Sequence, residues 1–542
     1  MKSQPFIYRL FTFLLVLAFG VQIGKFISPS RVPVFSSDSA RENKINELFY
    51  YVDHNYVDSI DMDSLLEITL AEMLEKLDPH SNYIPAKELQ SLSESMQGNF
   101  EGIGVEFQIQ KDTIVVVSPI SGGPSERLGI LSGDRIIQVD TLNVAGVGFT
   151  NSDVVKHLRG EKGTVVTVTI KRKGLGKLLV FDIVRDKIPI TSVDVSYMLD
   201  DEIGYVKVNR FAATTDTEFR HAIRKLNKEG IQSLILDLRG NPGGYLHAAN
   251  SIADEFLGSG DLIVYTQGRA RSKQVYLATR SGQMEDKKLV VLIDEGSASA
   301  SEIVAGAIQD HDRGIVIGRR TFGKGLVQEQ NMLSDGSAFR LTTARYYTPS
   351  GRSIQKHYDE DVDAYHREAY ARYETGEVYS EDSLKVEDSL KYFTDRGRVV
   401  YGGGGITPDI FVPLDTVGKS DWLYDVLAEN IINDFVFNYV DKNRASLNGF
   451  KSARAFNEAF EIDEALFADF LAKVKSSEIK SPTHQVQHSK DWILIRIKAL
   501  IARQMWNDEG FFRVVNDKDP MMQKALEVLK TNKPISELLE IN

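Results

Sequence analysis

The sequence predicts a multidomain α/β protein with α+β elements: a small β-rich module placed before an alternating β/α core, with helical regions at both ends. Three observations carry this. Between Asn99 and Lys187, short β-rich runs are punctuated by Gly and Asp. From Gly204 onward strand and helix patterns alternate. Near both ends, apolar residues recur at helical spacing. At roughly 150 residues per domain, a chain of 542 residues has room for three or four domains.

Composition narrows the function classes. With 42% hydrophobic and 26% charged residues, the chain is neither a polytopic membrane protein, nor disordered, nor collagen-like. The net charge of −12 makes nucleic acid a poor partner, because such binding rests on neutralising phosphates. There are no cysteines, which excludes thiol catalysis, disulfides, Cys-ligated zinc and cysteine lipidation.

Residues 1–27 read as a signal peptide or membrane anchor. Lys2 and Arg9 precede an apolar run from Leu10 to Ile23, and Lys25 closes it. The Ala18 to Gly20 stretch is a poor cleavage site, which favours an uncleaved anchor. Export follows: an extracytoplasmic location in the periplasm or cell envelope, anchored to the inner membrane or secreted. Residues 28–40 form a Pro/Ser-rich linker. Residues 41–97 are a helical region, with Ile45 and Leu48 marking one helix and Leu66, Leu70, Met73 and Leu77 the next. Residues 419–542 are again helical, at Trp422–Phe437, Ile462–Val474 and Asp491–Trp506, and carry no chemical motif. Packing or oligomerisation is the expected role of this tail.

In the module at 98–187, β-rich runs at Ile114–Val117, Arg135–Val139, Val165–Ile170 and Leu178–Ile183 surround one helical stretch, Ser152–Leu158. The sequence Gly102-Ile103-Gly104-Val105, and Ser125–Gly129 followed by Leu131-Ser132-Gly133-Asp134-Arg135-Ile136, resemble the carboxylate-binding loop and the G-D-x-I signature of PDZ domains. In such a loop, glycines let successive N–H groups point at one anion, and the captured peptide adds as a strand.

In the core, 188–418, three buried strands each run into a Gly- or Ser-rich turn: Asp237–Gly244, Asp294–Glu302 and Thr321–Gln328. In open α/β sheets that edge is where ligands bind. No G-x-S-x-G elbow, H-E-x-x-H or Walker loop is present. The ten histidines form no ligand-spaced cluster, and His247 and His311 lack an obvious orienting acid. What remains is a serine at a strand-to-helix turn and a lysine between glycines. A serine needs a base, and lysine serves only when neutral, so its amine must be desolvated. On the residues alone, a Ser–Lys pair competes with plain helix capping by serine.

Ser297-Ala298-Ser299-Ala300-Ser301-Glu302 and Thr321-Phe322-Gly323-Lys324-Gly325-Leu326-Val327-Gln328 together resemble the carboxy-terminal processing protease (tail-specific protease) family. Leu77–Ser81, Asp237–Gly244, Tyr346–Gln355 and Gly405–Asp409 match in the same order. The resemblance covers about Ile45 to Val412. It implies a crotonase-like ββα core preceded by a PDZ β-barrel, and a serine endopeptidase that recognises protein or peptide substrates by apolar C-terminal tails. By the same resemblance Ser299 is the nucleophile, Lys324 the general base and Gln328 the residue that orients it. Backbone N–H groups of Gly243 and Ala300 form the oxyanion hole, and Arg159 couples the PDZ domain to the protease. It implies a homodimer and an adaptor protein as partners, and no cofactor or metal.

Two features extend the family pattern. The acidic, Tyr-rich insertion at 357–398 reads as a solvated surface helix in preference to a lid, and the tail is longer than the protease needs. A catalytically idle peptide-binding scaffold and a small-ligand binder are the competing functions. Intact Ser299, Lys324 and Gln328 speak against the first, and the PDZ-like module against the second.

Overall fold

The computed structural model describes residues 39–279, 282–358, 362–384, 388–531, 533 and 535–539. The expected signal or anchor segment, and nearly all of the 28–40 linker, lie outside them. Among the described residues, no helix is long and apolar enough to cross a membrane. The chain divides into two compact units, residues 1–72 and 73–542.

In the first, helix α1 (Ser39–Asn55) and the start of α2 (Met62–Glu75) occupy the stretch whose apolar spacing is helical. Asp61 opens α2 by accepting the Asp63 and Ser64 N–H groups at 3.1 and 3.2 Å. Ile45, Leu48 and Leu66 are exposed.

The second unit begins with β1 (Asn82–Ile84) and α3 (Ala86–Gln97). The β-rich module follows, with β2 (Asn99–Gly102), β3 (Val105–Ile109), β4 (Ile114–Pro119), the turn α4 (Pro124–Arg127), β5 (Arg135–Val139), β6 (Leu142–Asn143), α5 (Asn151–Leu158), β7 (Val165–Lys171), β8 (Leu179–Val184) and β9 (Asp186–Pro189). Strands run in the order β3-β4-β5-β7-β8, and β2 pairs with β9 so that entry and exit meet. The alternation along β7 puts Val166, Val168 and Ile170 into the module's core. Thr150 and Asp153 cap α5 reciprocally: Asp153 Oδ2 accepts the Thr150 N–H at 2.9 Å, and Thr150 Oγ1 accepts the Asp153 N–H at 3.3 Å.

The core contains β10 (Val193–Met198), β11 (Ile203–Val208), α6 (Thr215–Lys228), β12 (Ser233–Asp237), α7 (Leu246–Ala253), β13 (Leu262–Gln267), β14 (Gln274–Leu277), β15 (Lys288–Ile293), α8 (Ala300–Asp310), β16 (Ile315–Gly318), β17 (Leu326–Met332), β18 (Ala338–Tyr347), α9 (Val362–Glu374), the hairpin β19 (Lys391–Phe393) and β20 (Val399–Tyr401), and β21 (Ile410–Phe411). Its main sheet runs β10-β11-β12-β15-β16-β21, parallel except between β10 and β11. A second sheet joins β1, β18, β13 and β14, with β17 on β18.

A parallel sheet must be covered on both faces, and alternate residues of the central strands show how this one is. Leu234, Leu236, Leu289, Val291 and Val316 face a core shared with α6, α7 and α8. Ile235, Val290, Leu292, Ile315 and Ile317 face Met521, Met522, Ala525 and Val528 of α15 (Pro520–Lys530). This corrects the expectation that the core has no need of the tail, because the tail's helix α15 covers the sheet's second face. The remaining tail helices, α10 (Asp421–Ala428), α11 (Ile431–Leu447), α12 (Ala453–Ala459), α13 (Glu464–Lys475) and α14 (Thr483–Asn516), bury their own core around Trp422, Val436, Phe470 and Ile497. The expected Trp422–Phe437 helix is two, broken where Asn430 turns to φ +54°. The module sits on this bundle through Gln110–Asp434 (3.0 Å), Lys173–Asp441 (2.9 Å) and Arg503–Glu106 (3.2 Å).

Candidate active site

Ser299 lies between the end of β15 and the start of α8, at φ +55° and ψ −111°. A non-glycine residue held there costs of order 1–3 kcal/mol, and such strain persists only where the surroundings enforce it. They do so here. On one side, Ser297 Oγ donates to Leu238 O (2.8 Å) and Ser301 Oγ to Asn241 O (2.9 Å), tying the turn to the Asp237–Gly244 loop. These buried hydroxyls are committed to structure. The Ser299 hydroxyl donates to no group among the described residues, while Ser299 and Glu302 face each other in a capping-box arrangement.

On the other side stands Glu302, which has no exposed surface. Its Oε2 accepts the N–H of Ser299 (2.7 Å) and of Lys324 (2.9 Å), and its Oε1 accepts the Gly323 N–H (2.8 Å) and the Thr321 hydroxyl (2.5 Å). Burial pushes its carboxyl up to about 7, against these four donors. Tyr346, also buried, brings its hydroxyl to Ser299 O (3.0 Å) and to Lys324 O. One carboxylate and one phenol therefore join the serine turn to the lysine turn. Neither had an assigned role in the sequence reading. The Ser-x-x-Glu spacing of a capping box is the signal that marks Glu302, whereas nothing local marks Tyr346.

Lys324 Nζ donates to Gln328 Oε1 at 2.9 Å, and Gln328 Nε2 donates in turn to the carbonyl of His80. Lys324 and Ser299 share no side-chain hydrogen bond in this arrangement. Burial, with the nearby Arg340 cation, pulls the Lys324 amine below the ordinary lysine value. His80 is itself lowered to about 4 by burial and by Lys324. Its Nε2 lies 2.8 Å from the hydroxyl of Tyr365 on α9.

The structure brings Gly243 and Ala300 to the serine. Gly243 sits at φ +97°, and a Cβ there would fall 2.7 Å from Ser299 Cβ and 2.9 Å from Ala300 N, so only glycine fits. The Ala300 N–H has no acceptor among the described residues, while the Gly243 N–H is taken by Asn241 Oδ1 at 2.9 Å. The Asp237–Gly244 loop is pinned by Asp237: against its complete burial, Arg239 (2.7 Å) and Lys207 hold this carboxyl well below the usual range.

The insertion is not a solvated helix. Tyr365 and Arg372 of α9 are buried, and Arg372 donates to carbonyls of the loop that leads into Lys324. Its acidic, Tyr-rich composition suggested a solvated surface helix, but a guanidinium surrounded by carbonyls is buried at modest cost. His311 does have an acid, Asp395, at 2.6 Å from Nδ1, but its Nε2 is occupied by Leu262 O. It also stands at the far end of the 11-residue α8, about 18 Å along the helix from Ser299.

In the β-rich module, the carbonyls of Ile103 and Gly104 turn inward to the Ser125 N–H (3.1 Å) and the Ile120 N–H (3.0 Å). The N–H groups of Ile103 and Gly104 have no acceptor among the described residues. Val105 begins β3, an edge strand whose second side is open. Arg159 pairs with Glu94 of α3 at 2.7 Å and covers the Phe100 ring. From α3, Met96 O accepts the Ala213 N–H at 3.0 Å, and Phe211 N–H donates to Gly243 O at 2.9 Å. Backbone contacts thus run from the module's neighbour to the serine. Among the described residues no group of three or more His, Asp or Glu side chains could hold a metal ion.

Family models described as peptidase family S41 and as PDZ domain match residues 202–364 and 102–183, and one of unknown function matches 422–507. A carboxy-terminal-processing protease of Bartonella bacilliformis is 41% identical over 317 residues, 58% of this chain and 72% of that one. The carboxy-terminal processing protease CtpA of Bacillus subtilis is 36% identical over 322 residues, 59% and 68% of the two chains. Among solved structures, the photosystem II D1 C-terminal processing protease is 30% identical, covering 58% of this chain and 91% of that one at a TM-score of 0.33. The PDZ domain of a carboxy-terminal protease from Vibrio cholerae, solved with a peptide, is 36% identical, covering 17% and 97% at a TM-score of 0.16.

Proposed function

The chain belongs to the carboxy-terminal processing proteases, PDZ-containing serine peptidases of family S41, and on that premise we propose that it is an exported endopeptidase with a Ser299–Lys324 dyad that selects protein substrates by their apolar C-terminal tails. The observation that carries this reading is the junction at Glu302, which fixes a strained serine, whose hydroxyl donates to no described group, beside a half-buried lysine of lowered basicity. The neutral Lys324 amine takes the Ser299 proton as Oγ attacks the scissile carbonyl. The developing oxyanion meets the Ala300 N–H, and also that of Gly243 once Asn241 releases it, each such donor being worth about 10²–10³ in rate. Lys324, now an ammonium held by Gln328, returns the proton to the leaving amine, and water completes hydrolysis of the acyl-enzyme.

The tail would bind as a strand on β3, its carboxylate on the N–H groups of the Gly102–Val105 loop, and Arg159 would relay occupancy through α3. Export rests on Lys2, Arg9 and the apolar run to Ile23. A reporter that matures only outside the cytoplasm, fused after residue 40, tests it. The exposed apolar residues of 39–72 suit a homodimer, and an adaptor protein would be a further partner. For the chemistry, the full chain and its Ser299→Ala variant are given a folded protein with an unstructured apolar tail. The parent cleaves it and the variant does not; retained cleavage by the variant refutes the nucleophile.

A further inference from the structure

Helix α9 belongs to the insertion, yet its buried face ends on the loop that carries Lys324. Arg372 is 3% exposed. Its Nη1 donates to Arg320 O (3.2 Å) and Thr321 O (2.9 Å), its Nη2 to Phe322 O (3.2 Å), and its Nε to Glu368 Oε1 (2.8 Å) one turn earlier. One planar fork thus gathers three successive carbonyls, an arrangement that a lysine cannot copy. The residues that follow are Gly323-Lys324-Gly325, with Gly323 at φ +88°, a stretch whose backbone holds no shape of its own.

Two turns before Arg372, Tyr365 is 4% exposed, and its hydroxyl is the group that meets His80 Nε2. The His80 carbonyl receives the Gln328 amide, and Gln328 receives the Lys324 amine. The same helix therefore reaches the lysine from two directions, through the backbone ahead of it and through the amide that aims its amine. Glu368, between the two, binds Lys356 at 2.9 Å and Arg320 at 3.1 Å on the same face.

We propose that Arg372 and Tyr365 are positioning residues for the Lys324 base, which makes the insertion a built-in brace of the dyad; this rests on the dyad reading above. A brace acts on the chemical step and not on substrate affinity. Since displacing a reacting group by about 1 Å can cost 10²-fold, Arg372→Ala in the full chain should lower kcat by about 10–100-fold with KM changed less than about twofold. Labelling of Ser299 by an aryl fluorophosphonate, which needs the base but no peptide, should slow by a similar factor. Arg372→Lys should recover only part of the loss, and Tyr365→Phe, which removes one oxygen, should lower kcat several-fold at unchanged KM. All variants are assayed well below their unfolding midpoints, and if Arg372→Ala does not fold, the other two decide. Wild-type kcat and labelling in the folded variants, or a change confined to KM, overturn the proposal. Lys324→Ala in parallel separates the two failures: if it remains active the dyad reading falls, and if it is dead while the α9 variants are normal only the brace falls.

Discussion

Glu302, without exposed surface, holds donors from two loops at 2.5–2.9 Å, whereas the PDZ domain meets the tail bundle through pairs such as Arg503–Glu106, whose side chains are 41% and 44% exposed. Removing one partner of a buried, charged network strands the rest and costs several kcal/mol. A half-exposed ion pair contributes at most about 1 kcal/mol and is screened by salt. The catalytic loops are thus set once the core folds, while an exposed pair such as Arg503–Glu106 adds little to the seat of the PDZ domain, where the better-buried Asp441 takes Arg135 and Lys173.

The comparison breaks first, and most visibly, at Lys324. Lys324→Ala and Lys324→Arg should each lose at least about a thousandfold in turnover, the second because a guanidinium stays protonated. In the parent, kcat should rise with pH, since only the neutral amine accepts a proton, and the rise should be centred below the ordinary lysine value. An active arginine variant would show that this loop does not supply the base.

A smaller effect concerns the stability of the same region. His80 has a folded value of about 4 against 6.5 unfolded, so between those values the unfolded chain binds the extra proton. The His80 contribution therefore falls as pH drops from about 6.5 toward 4, by at most about 3 kcal/mol, while Glu302, raised to about 7, contributes in the opposite direction as pH falls below 7. Urea unfolding of the parent and of His80→Gln across this window isolates the His80 contribution: the parent should lose stability relative to the variant as pH falls. An unchanged slope in the variant would assign the acid sensitivity elsewhere.

On the recognition side, the Ser299→Ala chain should bind a peptide with an apolar last residue and a free carboxylate about tenfold more tightly than its C-terminal amide, because the Ile103 and Gly104 N–H groups lose their anion. Equal affinities in a binding titration would remove the carboxylate from the account. The mildest change is expected for Arg159→Ala. Loss of the partly exposed bridge to Glu94 should slow cleavage of tailed proteins a few-fold and leave a short untailed peptide unaffected. A loss equal for both substrates would place Arg159 in the structure of the core and not in the coupling.

The chemistry was legible where residue type and spacing carry it. Three buried strands ending in Gly- and Ser-rich turns, and a lysine between glycines, mark the edge of the site, where family resemblance singles out Ser299 and Lys324; the module's Gly and Asp punctuation marks β4, β5, β7 and β8 to within two residues but leaves β2, β3, β6 and β9 unread. Composition and an apolar run flanked by Lys2, Arg9 and Lys25 likewise set the expectation of an exported, cysteine-free protein. These are properties of neighbours along the chain, which periodicity and turn chemistry record directly.

Tertiary structure decided the rest, because the deciding contacts join residues far apart in sequence. The tail reads as a free helical bundle until Met521 and Met522 are seen against Ile235 and Ile317 on the second face of the sheet. The charged, Tyr-rich insertion reads as solvated until Arg372 is seen to end on the carbonyls of residues 320–322. That Ser299 is the member of its serine cluster whose hydroxyl proton is left uncommitted depends on Leu238 and Asn241, about sixty positions upstream, which accept from Ser297 and Ser301. A hydroxyl or a guanidinium has the same letter whether it faces water or a carbonyl, and only the folded surroundings choose between them.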